Sequence, residues 1–105
     1  MDIIFTRQRL TRYYAMSVGT SIVGFTSSEL TDRWGNQVER AVGKVTGGSV
    51  NMGILGIMNP TADAGFPIAT TDLIVIEGHD NIRNVTFYQD SGAAVIYWIL
   101  QTDKA

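Results

Sequence analysis

The sequence predicts an all-β domain, a small antiparallel β-sandwich of jelly-roll-like form, and three observations predict it. Eleven glycines separate short apolar runs. β-Branched and aromatic residues concentrate within those runs, and the closing run, Ala93 to Gln101, sets Val95, Tyr97 and Ile99 against Ile96, Trp98 and Leu100. Short runs of such residues bounded by turn formers are the pattern of strands. A strand with apolar side chains on both faces has to be central in its sheet or meet another subunit on one face. Nine extended residues span roughly 30 Å, long for so small a domain, and two packed sheets are the simplest container for them.

In chain order, Ile3 to Phe5 reads as an opening strand or arm, with residues 1–12 forming an extended N-terminal arm. Tyr13 to Val18 reads as a strand ended by Gly19-Thr20, and Thr20 to Phe25 as a third short strand. Thr26-Ser27-Ser28-Glu29 places a hydroxyl cap three residues before a Glu, which predicts one turn and no long helix. Asp32 to Gln37 is turn chemistry. Val38 to Thr46 reads as a strand with neither face cleanly apolar. Gly47-Gly48 can supply positive φ at a two-residue hairpin turn leading into Ser49 to Ile54. Asn59 to Pro67 holds both prolines and predicts a surface loop, because proline lacks the ladder donor. Asp72 to Glu77, Ile82 to Gln89 and Ala93 to Gln101 predict a C-terminal three-stranded meander, with turns at Gly78 to Asn81 and Asp90 to Gly92.

A chain of 105 residues fits one domain, residues 1–105, since two cores would each be too small. With 45% hydrophobic and 17% charged residues it has the composition of a folded protein. A formal charge of −2 gives no long-range attraction to nucleic-acid phosphates or anionic lipid, so neither partner is expected. There is no cysteine, so neither disulfides nor thiolate metal sites are available. The N-terminus has Asp2 where a signal peptide carries basic charge. The longest weakly charged stretch, Ala41 to Ala62, is broken by Lys44, glycines and Pro60, so a soluble protein is expected.

Catalytic chemistry finds few parts. The single histidine, His79, reads as a solvated turn residue and has no second His or Cys for a metal site. It is also the one conventional base for any serine nucleophile. Asp72, Glu77, Asp80 and Asp90 are four acids in the C-terminal third, but their spacing matches no calcium loop and requires no convergence on a sugar cleft. Gly43-Lys44 and Gly47-Gly48 lack the spacing of a phosphate loop. The expectation is a non-enzyme with no cofactor and no metal.

Contact chemistry is better represented. Arg7, Arg9 and Arg12 form a basic cluster beside Tyr13 and Tyr14, suited to acids on a neighbouring subunit. The arm residues Ile3, Ile4 and Phe5 and the loop residues Asn59, Pro60, Thr61 and Phe66 are further interface candidates. Trp34, Tyr88 and Trp98 are candidate aromatic anchors, with a core position as the alternative for Trp98.

From Arg40 onward, about two-thirds of the chain, the order of features resembles a group of small β-sandwich proteins encoded among the virion structural genes of tailed bacteriophages. The carriers are Arg40-Ala41-Val42, Asn59-Pro60-Thr61-Ala62 with Gly65, Leu73 to Gly78, Ile82 to Phe87 and Ser91 to Tyr97. In proteins of this look the Pro-Thr-Ala loop often follows an Asp-Gly turn, whereas here Gly56-Ile57-Met58 precedes Asn59. The resemblance implies a non-enzymatic virion component, a capsid decoration (cement) protein bound to the major capsid protein or other virion proteins. It implies a symmetric homo-oligomer such as a trimer, assembled in the host cytoplasm and located on the capsid surface. The other reading is a tail, fibre or host-surface binding module.

Overall fold

The computed structural model describes residues 8–31 and 35–103, with side chains described from 12 to 102 within those spans. In chain order the elements are β1 (Gln8–Val18), β2 (Val23–Gly24), β3 (Val38–Ile54), β4 (Phe66–Ile68), β5 (Leu73–Glu77), the helix α1 (His79–Asn84) and β6 (Val85–Asp103). All the strand pairings are antiparallel, so the all-β class holds.

The two long strands organise everything else. β3 and β6 pair along their whole lengths, from Val38↔Thr102 to Ile54↔Val85. Near one end they are flanked by β1 on β6 and β5 on β3; near the other, by β2 on β6 and β4 on β3. The result is two four-stranded half-sheets continuous through β3 and β6. They face each other. Phe87 and Trp98 lie eleven residues apart on β6, a separation of roughly 36 Å in a straight strand, yet their ring centroids are 5.8 Å apart. Phe25, beside β2, meets the same indole edge-on at 5.0 Å. The sheet therefore doubles back on itself, and the two layers of the expected sandwich are halves of one sheet.

The corner is made by glycine. Gly47 (φ 76) and Gly92 (φ 71) are left-handed, a conformation that costs other residues energy. Register shifts fall between Thr46 and Gly48 and between Ser49 and Val50. Such bulges bend a strand and change which parity faces the core. Ala41 and Val45 are buried before the corner and Val50 after it; on β6 the buried set moves from Val85 and Phe87 to Ala94, Ile96, Trp98 and Leu100.

Three sequence expectations are corrected here. Gly47-Gly48 is not a hairpin turn, because β3 runs through it. The C-terminal meander does not form: β5 pairs with β3, and 85–89 and 94–102 are two arms of a single bent strand that both pair with β3. Ile82 to Asn84 is helical, and Ile82 is fully buried as a plug at the end of the sandwich.

Smaller differences have local causes. β1 is longer than its apolar core, and β2 is only two residues. The last part of the expected Asn59 to Pro67 loop joins β4, where Pro67 is tolerated because β4 is an edge. The turn at Thr26 to Leu30 forms as expected: the Thr26 backbone N–H donates to Glu29 Oε1 at 2.7 Å, and the Glu29 N–H to the Thr26 carbonyl at 3.1 Å. Strand Val38 to Thr46 has no clean face because a register shift between Val38 and Arg40 lets Val38 and Ala41 both point inward.

Candidate interaction surface

The outer face of the half-sheet built from β1, β6, β3 and β5 is where the closing strand's second apolar set emerges. Register alone assembles it. Tyr13 pairs with Ile99, Ile99 with Val42, and Val42 with Val75, so one unbroken apolar row crosses four strands. The next row is Ala15, Tyr97, Lys44 and Leu73. Tyr13 is 66% exposed, Val75 53%, Leu73 46% and Tyr97 41%. The Tyr13 and Tyr97 rings stack diagonally at 6.1 Å, with planes 20° apart. At the rim Arg40 Nε lies 3.8 Å from Glu77 Oε1. An apolar centre with charge at its border is the anatomy of a protein-binding face.

A second apolar region lies at the far end of β3. The turn after β3 exposes Leu55, Ile57 and Met58, with Ile57 81% exposed. Beside it an open groove of about 460 Å³ runs between β5 and the end of β3, walled by Met52, Ile54, Ile57, Val75 and Ile76, with Asn81 at one end.

The proline loop is held from beneath. Asn51, nearly fully buried, donates from Nδ2 to the carbonyls of Thr61 (2.8 Å) and Ala62 (3.2 Å), and Thr61 N–H donates to the Ala64 carbonyl at 2.8 Å. Asn59, Thr61 and Phe66 stand exposed. Pro60 is fully buried, as is Trp98. Both are corrections: Pro60 seats the loop and Trp98 fills the core, so neither offers a contact surface. Arg12 is exposed. Ile3, Ile4, Phe5, Arg7 and Trp34 lie outside the described residues, as does the side chain of Arg9. The surface that sequence reasoning missed is the edge pair Leu73 and Val75; alternation in Leu73 to Glu77 signals it, but only the register shows that these residues extend the outer face of the closing strand.

The titratable groups are engaged locally. His79 is not a solvated turn residue: it opens α1, and its Nδ1 lies 3.0 Å from the Val38 carbonyl. Its backbone N–H donates to Glu39 Oε1 at 3.3 Å. Asp72 accepts from the Ala69 N–H at 3.0 Å, Asp80 sits 3.4 Å from Arg83, and Asp90 accepts from the Ser49 hydroxyl at 3.0 Å. Of these groups, Glu39, His79, Asp80 and Arg83 border a polar hollow of about 420 Å³. Among the described residues no three His, Cys, Asp or Glu side chains converge as a metal site, and no helix is long and apolar enough to cross a membrane. Burial raises the Tyr14 pKa, and a hydrogen bond to Glu29 and the charge of that carboxylate raise it further.

No family model matches this chain, and neither a curated protein nor a solved structure matches it.

Proposed function

We propose that this chain is a non-catalytic structural component of a bacteriophage virion, a capsid decoration protein that seats its outer sheet face on the shell and clamps neighbouring subunits. The observation that carries the reading is the apolar row Tyr13–Ile99–Val42–Val75, which the fold leaves facing outward. Burying such a row against a second protein removes apolar area from water at about 25 cal/mol per Å², and a sheet bent over its own core holds the row rigid before contact. Phe66 and the exposed loop residues Asn59 and Thr61 provide a second, more polar contact. The order of features from Arg40 onward, similar to that of small phage β-sandwich proteins, supports the choice of a shell as partner.

The test is to mix purified protein with undecorated shells in each expansion state. Saturable binding at symmetry-related sites, lost in Tyr97→Lys, is the expected result. No binding in any state rejects the shell as partner, and binding to host-cell surfaces without capsid would move the protein to the tail or fibre class.

A further inference from the structure

We propose that the protein docked on the outer sheet face brings a carboxylate to Lys44, set within an otherwise apolar contact. The inference rests on the reading that this face is the docking surface, and it adds the chemistry that selects the partner.

Lys44 stands exposed inside the apolar rows and not at their border. Its cross-strand neighbours are Tyr97 on β6 and Leu73 on β5, and Val42 precedes it by two residues on the same face of β3. Among the described residues no carboxylate lies within ion-pair distance of Lys44, and its ammonium has no hydrogen-bond partner. Asp72, beside Leu73 in sequence, instead accepts from the Ala69 N–H at 3.0 Å. The other charges of these rows face each other: Arg40 Nε lies 3.8 Å from Glu77 Oε1. The face thus presents one ammonium with no counter-charge, on a chain whose formal charge is −2.

In the free protein that ammonium is solvated, because the stem of a lysine lies along apolar surface while its charged end stays in water. Docking changes this. A partner that covers Tyr97, Val42 and Leu73 also covers the lysine among them, and a buried charge is costly unless it is paired and hydrogen-bonded. The partner that fits therefore sets an Asp or Glu opposite Lys44 and apolar groups around it.

Two other occupants fit less well. A second copy of this face brings Lys44 and Arg40 against their own kind, and its Glu77 already faces its own Arg40; like charges set together across an interface are penalised. A phosphate backbone would meet the ammonium but leave Tyr13, Ile99, Val42 and Val75 with nothing apolar to bury against. An acidic spot on an apolar protein surface answers both requirements, and opposite charges across an interface steer the encounter and fix its register.

The test is shell binding by Lys44→Met and Lys44→Arg, measured at low and high NaCl beside the parent and Tyr97→Lys. Methionine keeps an unbranched stem and removes the charge, at a position that faces solvent; the thermal midpoint confirms that each variant is folded. The sign of the change decides. Opposite a carboxylate, Lys44→Met leaves the partner's charge buried and unpaired, so affinity falls at least about tenfold. Lys44→Arg keeps most of the parent's affinity, and added salt weakens the parent more than it weakens Lys44→Met. Opposite an apolar surface, Lys44→Met removes a desolvation cost and binds as tightly as the parent or more so, which overturns the proposal. Binding of a single-stranded oligonucleotide by the parent, lost in Lys44→Met, also overturns it, since the counter-charge is then phosphate. If nothing binds shells, or Tyr97→Lys binds them as the parent does, the docking reading fails and takes this inference with it. Loss in Tyr97→Lys without loss in Lys44→Met sinks this inference alone.

Discussion

Gly43 and Trp98 are cross-strand partners, and the indole lies on the glycine: a Cβ built at position 43 would sit 2.6 Å from Trp98 Cε3. The fold uses the absent side chain as the floor of its largest core residue. Trp98 then meets Phe25 and Phe87 from the opposite half-sheet, so the ring seated on Gly43 is a contact between the two layers.

Gly43→Val is accordingly expected to destabilise the domain by about 1–3 kcal/mol, the range for overpacking a filled core. The conformation is not the obstacle, because Gly43 has no positive φ. The loss is read as a lower urea midpoint at unchanged slope, together with altered near-ultraviolet dichroism as the indole is displaced.

Phe87→Ala tests the doubling of the sheet. Phe87 is fully buried and lies against Trp98 across the layer gap. Removing a buried phenyl ring costs about 3–5 kcal/mol, a large share of the roughly 5–15 kcal/mol available to a domain. The measurement is equilibrium denaturation; a loss under 1 kcal/mol would show that the halves are not packed through this ring.

The corner is tested by a matched pair. Gly92 has φ 71, and a Cβ there would approach the Gly47 carbonyl at 2.8 Å, whereas Gly19 has open space and no positive φ. Gly92→Ala is expected to cost at least about 1–2 kcal/mol, the left-handed penalty, and Gly19→Ala to stay within about 0.5 kcal/mol of the parent. Equal effects would remove the argument that the bend needs glycine.

That corner also marks where the sequence stops being legible. A pair of glycines between apolar runs is required both by a tight hairpin turn and by a bulge inside a continuing strand, since each calls for positive φ. Which one forms depends on β6 lying alongside both halves of β3, a contact some forty residues distant. Gly78 to Asn84 is similar: its turn formers become a six-residue helix because His79 docks on the Val38 carbonyl and Ile82 enters the core. By contrast, the closing strand was readable, because period-two alternation with apolar residues on both parities has one meaning in a small domain: a central strand with a second face to cover. The candidate surface was half readable for the same reason. Tyr97 belongs to that alternation, but Tyr13 and Val75 join it only through register.

High pH is expected to weaken the fold through Tyr14. Burial, then the hydrogen bond to Glu29 and its charge, raise the hydroxyl's pKa above the usual tyrosine value near 10. The folded chain holds this proton to higher pH than the unfolded chain does. The stabilisation is therefore fully present below the unfolded pKa and lost as pH rises through the folded one. Urea midpoints measured from pH 8 to 11 should fall more steeply for the parent than for Tyr14→Phe, which has no proton to lose; identical slopes would refute the role.

The outer face can be separated from the fold by charge. Tyr97 and Val75 project into solvent on strands whose other face fills the core, so a lysine at either position keeps its stem on the sheet and its ammonium in water. Tyr97→Lys gives up the stack with Tyr13, worth about 0.5–1.5 kcal/mol, and Val75→Lys is expected to change stability by under about 0.5 kcal/mol. Binding responds differently. Each lysine sets an added charge on the outer face, at the β5 end of the apolar row for Val75 and in the row beside it for Tyr97, where a docked partner would have to strip its water. Association with shells should fall at least tenfold for either variant while the thermal midpoint moves by only a few degrees. A variant that binds as the parent does would show that this face is not the docking surface, whatever its exposure.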